Sequence, residues 1–260
     1  MFPLKSYNQS MLFKLLFFLS VYISTNMLND ACAEDYGRVD RKKNESGSLE
    51  AIALRDSWKL EQIDSARDVG YLTDIEKDII LALNMVRTEP GRYAELYIKP
   101  IINSFNGKSR RINGRNLITE EGSLPAEELY EYLIHHSPVL AFVVAQELCN
   151  SADELAHDQS MTGETGHISS HGKGFSLRIK SYGRWKNGVS EMIGYGGKTA
   201  FDIVNNMLID DGVSDRGHRF IIMDPLFHVV GASVRPHKVY GLTTVIDYAG
   251  SFAKNFGARN

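Results

Sequence analysis

Apolar residues recur at helical spacing through most of the chain, and they change to strand-like runs near its end. The first clear stripe follows Thr73, which stands three residues before Glu76 in the spacing of a helix-capping box. We therefore predict a helix from residue 74. Pro90 predicts a break and the start of a second helix that ends near residue 98.

Three further helices are predicted over residues 126–135, 138–156 and 199–210. Residues 103–122 show no periodicity and predict a surface loop. Two late runs, 229–235 and 239–248, are rich in β-branched and aromatic residues and predict a β-hairpin. Helices early in the chain and antiparallel strands late favour an α+β fold, in which helices flank a small antiparallel sheet.

The first 33 residues have the pattern of a cleavable signal peptide. Two lysines precede an apolar run over residues 15–23, and Ala31 and Ala33 provide the small residues of a cleavage site. The run is shorter than the roughly 20 apolar residues of a membrane-spanning helix, so a retained anchor is the weaker interpretation. Cys32 leaves attachment to a lipid as a further alternative.

After cleavage the protein is expected to be secreted or periplasmic, with no membrane span left. Residues 34–70 begin polar and charged and predict a linker followed by a short helix, so the folded domain is expected to span residues 71–255. Cleavage also leaves Cys149 as the only cysteine, which excludes an intramolecular disulfide.

The charge balance argues against nucleic acid as a partner, because the whole chain has a formal net charge of −3. A local basic patch does occur within residues 108–115, but no aromatic residue is interleaved with it for stacking on bases. A solvated loop is the simpler interpretation of that patch.

The candidate chemistry lies in three polar segments near glycines. These segments are Gly166-His167-Ile168-Ser169-Ser170-His171-Gly172, Ser190-Glu191-Met192-Ile193, and Asp210-Asp211-Gly212 followed by Arg216-Gly217-His218-Arg219. Their order resembles the CAP superfamily (cysteine-rich secretory proteins, antigen 5 and pathogenesis-related proteins) in its bacterial SCP-like form. The resemblance covers residues 71–253.

This resemblance implies an α-β-α sandwich with a central cleft lined by two histidines and two acids. It implies His167, Glu191 and His218 for three of these positions, and Asp210 is the candidate for the fourth. The chain departs from the family pattern in three places. Met192 replaces the asparagine of Glu-Asn-Ile, Met207 stands where animal members favour tryptophan, and Asp210 is shorter than the usual glutamate.

Imidazole and carboxylate groups are ligands that Zn²⁺ or another divalent cation accepts. The resemblance also implies a secreted binding module for an apolar or glycan-like ligand, such as a lipid, a sterol or a sugar chain, and we favour binding over catalysis. The alternative is a metal-dependent extracellular hydrolase of peptide or cell-wall substrates, with Glu191 as the catalytic base, or Asp210 in its place. A hydrogen-bond network that only orders the loops of an interaction protein is the third interpretation.

Overall fold

The structure of the protein is a computed structural model that describes residues 48–112 and 115–254. The predicted signal peptide, residues 1–33, and the first part of the predicted linker, residues 34–47, lie outside the described residues. Within the described ranges, no helix has both the length and the apolar character needed to cross a membrane.

Helices make up most of the first half of the described chain and recur between the later strands. In chain order they are α1 (Leu49–Arg55), α2 (Leu60–Ile63), α3 (Asp74–Thr88), α4 (Pro90–Tyr93), α5 (Lys99–Asn103), α6 (Leu124–His135), α7 (Gln146–Thr162), α8 (Phe175–Tyr182), α9 (Ala200–Ile209) and α10 (Gly217–Met223). A π-helical turn, Ala94–Ile98, joins α4 to α5.

The start of α3 confirms the predicted capping box. Thr73 is the N-cap residue, and its backbone N–H donates to the Glu76 carboxylate over 2.8 Å. Pro90 then begins α4, which confirms the predicted break, because proline lacks the N–H that a continuing helix would need.

The strands form two sheets. They are β1 (Phe105–Asn106), β2 (Ser109–Ile112), β3 (Arg115–Ile118), β4 (Val143–Val144), β5 (Gly183–Tyr195), β6 (Val229–His237) and β7 (Gly241–Lys254). The first three make a small antiparallel sheet, and the others make a main sheet in the order β4-β6-β7-β5. The predicted hairpin is confirmed as β6 and β7, but β4 lies parallel to β6, so the main sheet is mixed rather than purely antiparallel.

Helices cover both faces of the main sheet. Ile246 and Tyr248 of β7 join the large core cluster that also contains the buried residues of α3 and α9. Val245, which points to the opposite face, packs against Leu155 of α7. Residues 243–250 of β7 are consequently buried on both sides of the sheet. This α-β-α layering confirms the predicted α+β class.

Residues 48–70 contain the predicted short helix, α1, and they pack into the core. Trp58 is almost fully buried, and its indole N–H donates to the Tyr97 hydroxyl over 3.0 Å. Asn84 of α3 donates to the carbonyl of Ile63, and Ala53 has no exposed surface. The predicted boundary at residue 71 therefore falls inside the packed unit, because the few apolar residues of this segment are enough to anchor it.

Two predicted elements are wrong. Residues 103–112 and 115–118 contain the strands of the small sheet and not only a surface loop. Residues 138–145 are not helical, and α7 starts only at Gln146. Tertiary contacts hold this stretch extended, because the Asn84 side chain bonds both backbone groups of Phe142 and the Arg87 guanidinium donates to the Leu140 carbonyl.

Candidate functional site

Glu191 lies on β5, and strand geometry decides where it points. Successive strand residues face opposite sides of the sheet, so Glu191 faces the same side as Ile193, which packs with residues of α7. The Glu191 side chain has no solvent exposure. Burying a carboxylate is costly unless it is paired and hydrogen-bonded, and two groups from other segments meet this need.

His167 is the first of these groups and reaches Glu191 from the loop after α7. The His167 Nδ1 lies 2.8 Å from Glu191 Oε1. A carboxylate only accepts, so Nδ1–H donates, and in the neutral ring Nε2 is left as an acceptor. The His167 side chain is 51% exposed although its partner is fully buried. An exposed imidazole is thus held in one orientation by a buried acid.

The backbone before His167 is clamped. The Gly166 N–H donates to the Tyr195 hydroxyl over 2.8 Å, and the Gly166 carbonyl accepts from the Gln159 side-chain amide over 2.7 Å. Gly166 has a φ of 101°, a conformation that glycine adopts at little cost. Gln159 and Tyr195 therefore fix the position from which His167 projects.

Arg178 of α8 is the second partner of Glu191 and completes the network. Its side chain is fully buried, and its Nη2 donates to Glu191 Oε2. Its Nη1 donates to the His167 carbonyl over 3.0 Å and to the Lys173 carbonyl over 2.8 Å. Both Glu191 oxygens therefore have partners, one an imidazole and the other a guanidinium.

A second buried carboxyl adjoins this network. Asp247 of β7 is the register partner of Glu191 and has no exposed surface. Burial raises the pKa of Asp247 well above its ordinary value, and the neighbouring Glu191 carboxylate raises it further. Asp247 is therefore the member of the pair whose protonated form the fold favours.

The other histidine–acid pair lies at the end of α9. Asp210 is the C-cap of that helix in a left-handed conformation, with a φ of 57°. Its Oδ1 accepts from His218 Nδ1 over 2.7 Å, and its Oδ2 accepts from the His218 backbone N–H over 3.1 Å. The Asp210 side chain is 4% exposed and that of His218 is 27% exposed. His218 is thus oriented in the same way as His167, through Nδ1.

A cavity of about 110 Å³ opens beside His218. It lies between the end of β5 and one side of α9, and its walls are mainly apolar. Its lining residues are Ile193, Gly194, Tyr195, Gly196, Ile203, Asn206, Met207, Asp210 and His218. Tyr195 contributes both to this cavity and to the clamp on Gly166.

The structure brings the four predicted site residues together as two pairs, His167 with Glu191 and Asp210 with His218. Across residues 48–112 and 115–254, no group of three or more His, Cys, Asp or Glu side chains is placed to hold a metal ion. Catalytic zinc usually has three protein ligands and structural zinc four. Each acid instead binds the Nδ1 of its histidine, as carboxylates outside a metal's ligand set commonly do. The described residues therefore do not present the four predicted ligands as one converging donor set.

Three residues of this network, Gln159, Arg178 and Asp247, were not predicted as site residues. An acid in the middle of an apolar strand was a usable signal for Asp247, because such a residue must be paired or protonated when both sheet faces are covered. Arg178 and Gln159 lie within helical patterns and carry no comparable signal.

Neither a protein-family model nor a curated protein matches the chain. Among solved structures, the chain is similar to an outer surface protein from Borrelia burgdorferi, with 17% sequence identity and a TM-score of 0.37. The similarity covers 48% of this chain and 88% of that chain. Similarity at this level supports no conclusion about fold or function. The resemblance to the CAP superfamily stays a prediction.

Proposed function

We propose that this protein is an exported binding domain of the CAP type, which holds an extracellular ligand in the cavity beside His218. The observation that supports the proposal is an oriented histidine at the wall of a mainly apolar cavity. Apolar walls with a small number of placed polar groups are the usual composition of ligand sites.

The orientation of His218 defines the chemistry of the ligand. Its Nδ1–H is used by Asp210, so the neutral ring offers Nε2 as a hydrogen-bond acceptor. The ligand group at this point would therefore be a donor, such as a hydroxyl. An apolar or glycan-like ligand with a hydroxyl satisfies this condition, and the cavity of about 110 Å³ would hold only part of it.

The divalent ion implied by the resemblance is a separate proposal. His167 and His218 would each offer Nε2 to an ion such as Zn²⁺, which would supply Lewis acidity when bound. Within the described residues, neither histidine has two further ligands beside it. The proposed binding function therefore does not require a metal ion.

We favour binding over hydrolysis because Glu191 is buried and already hydrogen-bonded. A general base must reach the water that it activates. The Glu191 side chain is fully buried, and its oxygens already accept from His167 and Arg178. Of His167 and His218, only His218 lines the cavity, where it could act as a general base.

Titration with a fluorescent sterol and with a chito-oligosaccharide tests the proposal. His218→Ala is compared with His228→Ala, because His228 is an exposed histidine that does not line the cavity. We expect saturable binding of a probe by the wild type and the control, and about tenfold weaker binding by His218→Ala, as for one lost hydrogen bond. Equal binding by both variants would contradict the proposed site. If the wild type binds neither probe, apolar and glycan-like ligands are excluded for this site.

A further inference from the structure

The edge of the main sheet at β5 has backbone groups that point away from the sheet. β5 is the last strand in the order β4-β6-β7-β5. The Gly196 N–H donates to the Leu242 carbonyl of β7 over 2.9 Å. Backbone groups of successive residues point to opposite sides of an antiparallel strand, so those of Ile193 and Tyr195 point outward. Among the described residues, none bonds these outward groups. They form a template for an added strand.

This free edge is continuous with the cavity beside His218. Residues 193–196 form one wall of the cavity, and Asn206 and Met207 of α9 lie on another side. Gly194 lines the cavity with its backbone alone. A side chain here would crowd α9, because a Cβ would lie 2.6 Å from Met207 Cε. A chain that runs along β5 would therefore pass over the cavity and could place a side chain in it.

The polar end of the cavity has an excess of negative charge. The Asp210 carboxylate contributes to this end and accepts from His218 Nδ1, so Nε2 is the His218 ring nitrogen left for a ligand. The neighbouring cation Arg216 is already paired with Glu121 and Glu128. A cationic donor on the ligand is favoured at this position because it combines opposite charge with a hydrogen bond.

We propose that the β5 edge binds an extended peptide segment, which joins the main sheet as an added strand and places a lysine or arginine beside His218. The inference rests on the proposed function in that it uses the same cavity, and it assigns a peptide to that cavity in place of a sterol or a glycan. A sterol offers a single hydroxyl, whereas strand addition uses the repeated backbone donors and acceptors of Ile193 and Tyr195. The cavity of about 110 Å³ is also well below the roughly 300 Å³ of sites for drug-sized ligands, but it accepts a side chain.

Amide hydrogen exchange in the free protein tests the state of the edge. We expect the amides of Ile193 and Tyr195 to exchange at least about tenfold faster than those of Gly194 and Gly196, which point to β7. Equal protection of all four amides would overturn the proposal, because the edge would already be covered.

Peptides selected from a displayed library of short random sequences then serve as probes. Asn206→Trp narrows the cavity from an exposed position, and Asn116→Trp is the matched control because Asn116 is an exposed asparagine on β3. We expect the selected peptides to share a lysine or arginine and to protect the amides of Ile193 and Tyr195. Their affinity for Asn206→Trp should be at least about tenfold lower than for Asn116→Trp.

The outcomes separate this inference from the proposed function. Equal affinity for the two variants, or peptides that leave Ile193 and Tyr195 unprotected, would overturn strand addition at β5. His218-dependent binding of the sterol or the oligosaccharide, with no peptide selected, would overturn the peptide and leave the proposed function standing. Absence of any His218-dependent binding would overturn both.

Discussion

Glu191 and Asp247 lie opposite each other on β5 and β7, and both side chains are buried. Arg178 neutralises only one of the two carboxyl groups, since it bonds Glu191. The pair is therefore stable when one carboxyl is ionised and the other protonated, which is consistent with the raised pKa of Asp247. Stability and the candidate site are linked here, because Glu191 also orients His167.

Asp247→Asn should change how stability depends on pH. The unfolded chain ionises Asp247 near pH 4, whereas burial raises the pKa of the folded group well above that value. The contribution of Asp247 is therefore most favourable below pH 4 and is lost as the pH rises through the raised pKa. We expect urea unfolding from about pH 4 to pH 8 to show a shallower fall in stability for Asp247→Asn than for the wild type. Asp215→Asn, at an exposed acid, is the control, and parallel profiles for Asp247→Asn and wild type would contradict the assignment.

Arg178→Met should strongly destabilise the fold. It leaves the buried Glu191 carboxylate without its cation, a loss of about 3–5 kcal/mol in the free energy of unfolding. Arg184→Met is the matched control, because Arg184 is exposed and a change there is expected to stay within about 0.5 kcal/mol. Addition of Glu191→Gln to Arg178→Met should recover part of the loss. Equal effects of the two arginine changes would refute the buried ion pair.

Tyr195→Phe should loosen the loop that carries His167. The change keeps the ring but removes two hydrogen bonds of the hydroxyl, which accepts from the Gly166 N–H and donates to Gln159 Oε1. We expect a loss of about 1–2 kcal/mol in stability and faster exchange of the Gly166 amide. Tyr240→Phe serves as the control, because the Tyr240 ring lies 5.2 Å from the Tyr195 ring, at a tilt of 44°, and its hydroxyl does not bond Gly166. Unchanged exchange at Gly166 would show that Tyr195 does not hold the loop.

Zinc titration distinguishes one joint metal site from two separate histidines. Because His167 and His218 belong to different pairs, we expect the losses of Zn²⁺ affinity in His167→Ala and His218→Ala to add in the double variant. His135→Ala, at an exposed histidine on α6, controls for nonspecific binding. Complete loss of binding in each single variant would instead indicate that both histidines hold one ion.

Cys149 should be unreactive in the native protein. Burial raises the pKa of its thiol to about 12, so almost no thiolate is present at pH 8. We expect slow alkylation by iodoacetamide under native conditions and fast alkylation in urea, with the modified peptide identified by mass spectrometry. Rapid native labelling at Cys149 would contradict its burial.

Short-range sequence patterns correctly predicted three features of the fold. The capping box at Thr73, the break at Pro90 and the two valine-rich runs of the hairpin each depend on neighbouring residues, and the structure confirms them. β5 was not predicted, because its first half is polar and glycine-containing and becomes a strand only by pairing with β7.

The sequence by itself determined the α+β class and the presence of two histidines and two acids in separate polar segments. Only the tertiary structure decided that His167 pairs with Glu191 and His218 with Asp210, and that Asp247 joins Glu191 across the sheet. Spacing along a chain specifies which face of a helix or strand a residue occupies. It does not specify which segments meet, because long-range contacts are set by strand register and by the packing of buried charge.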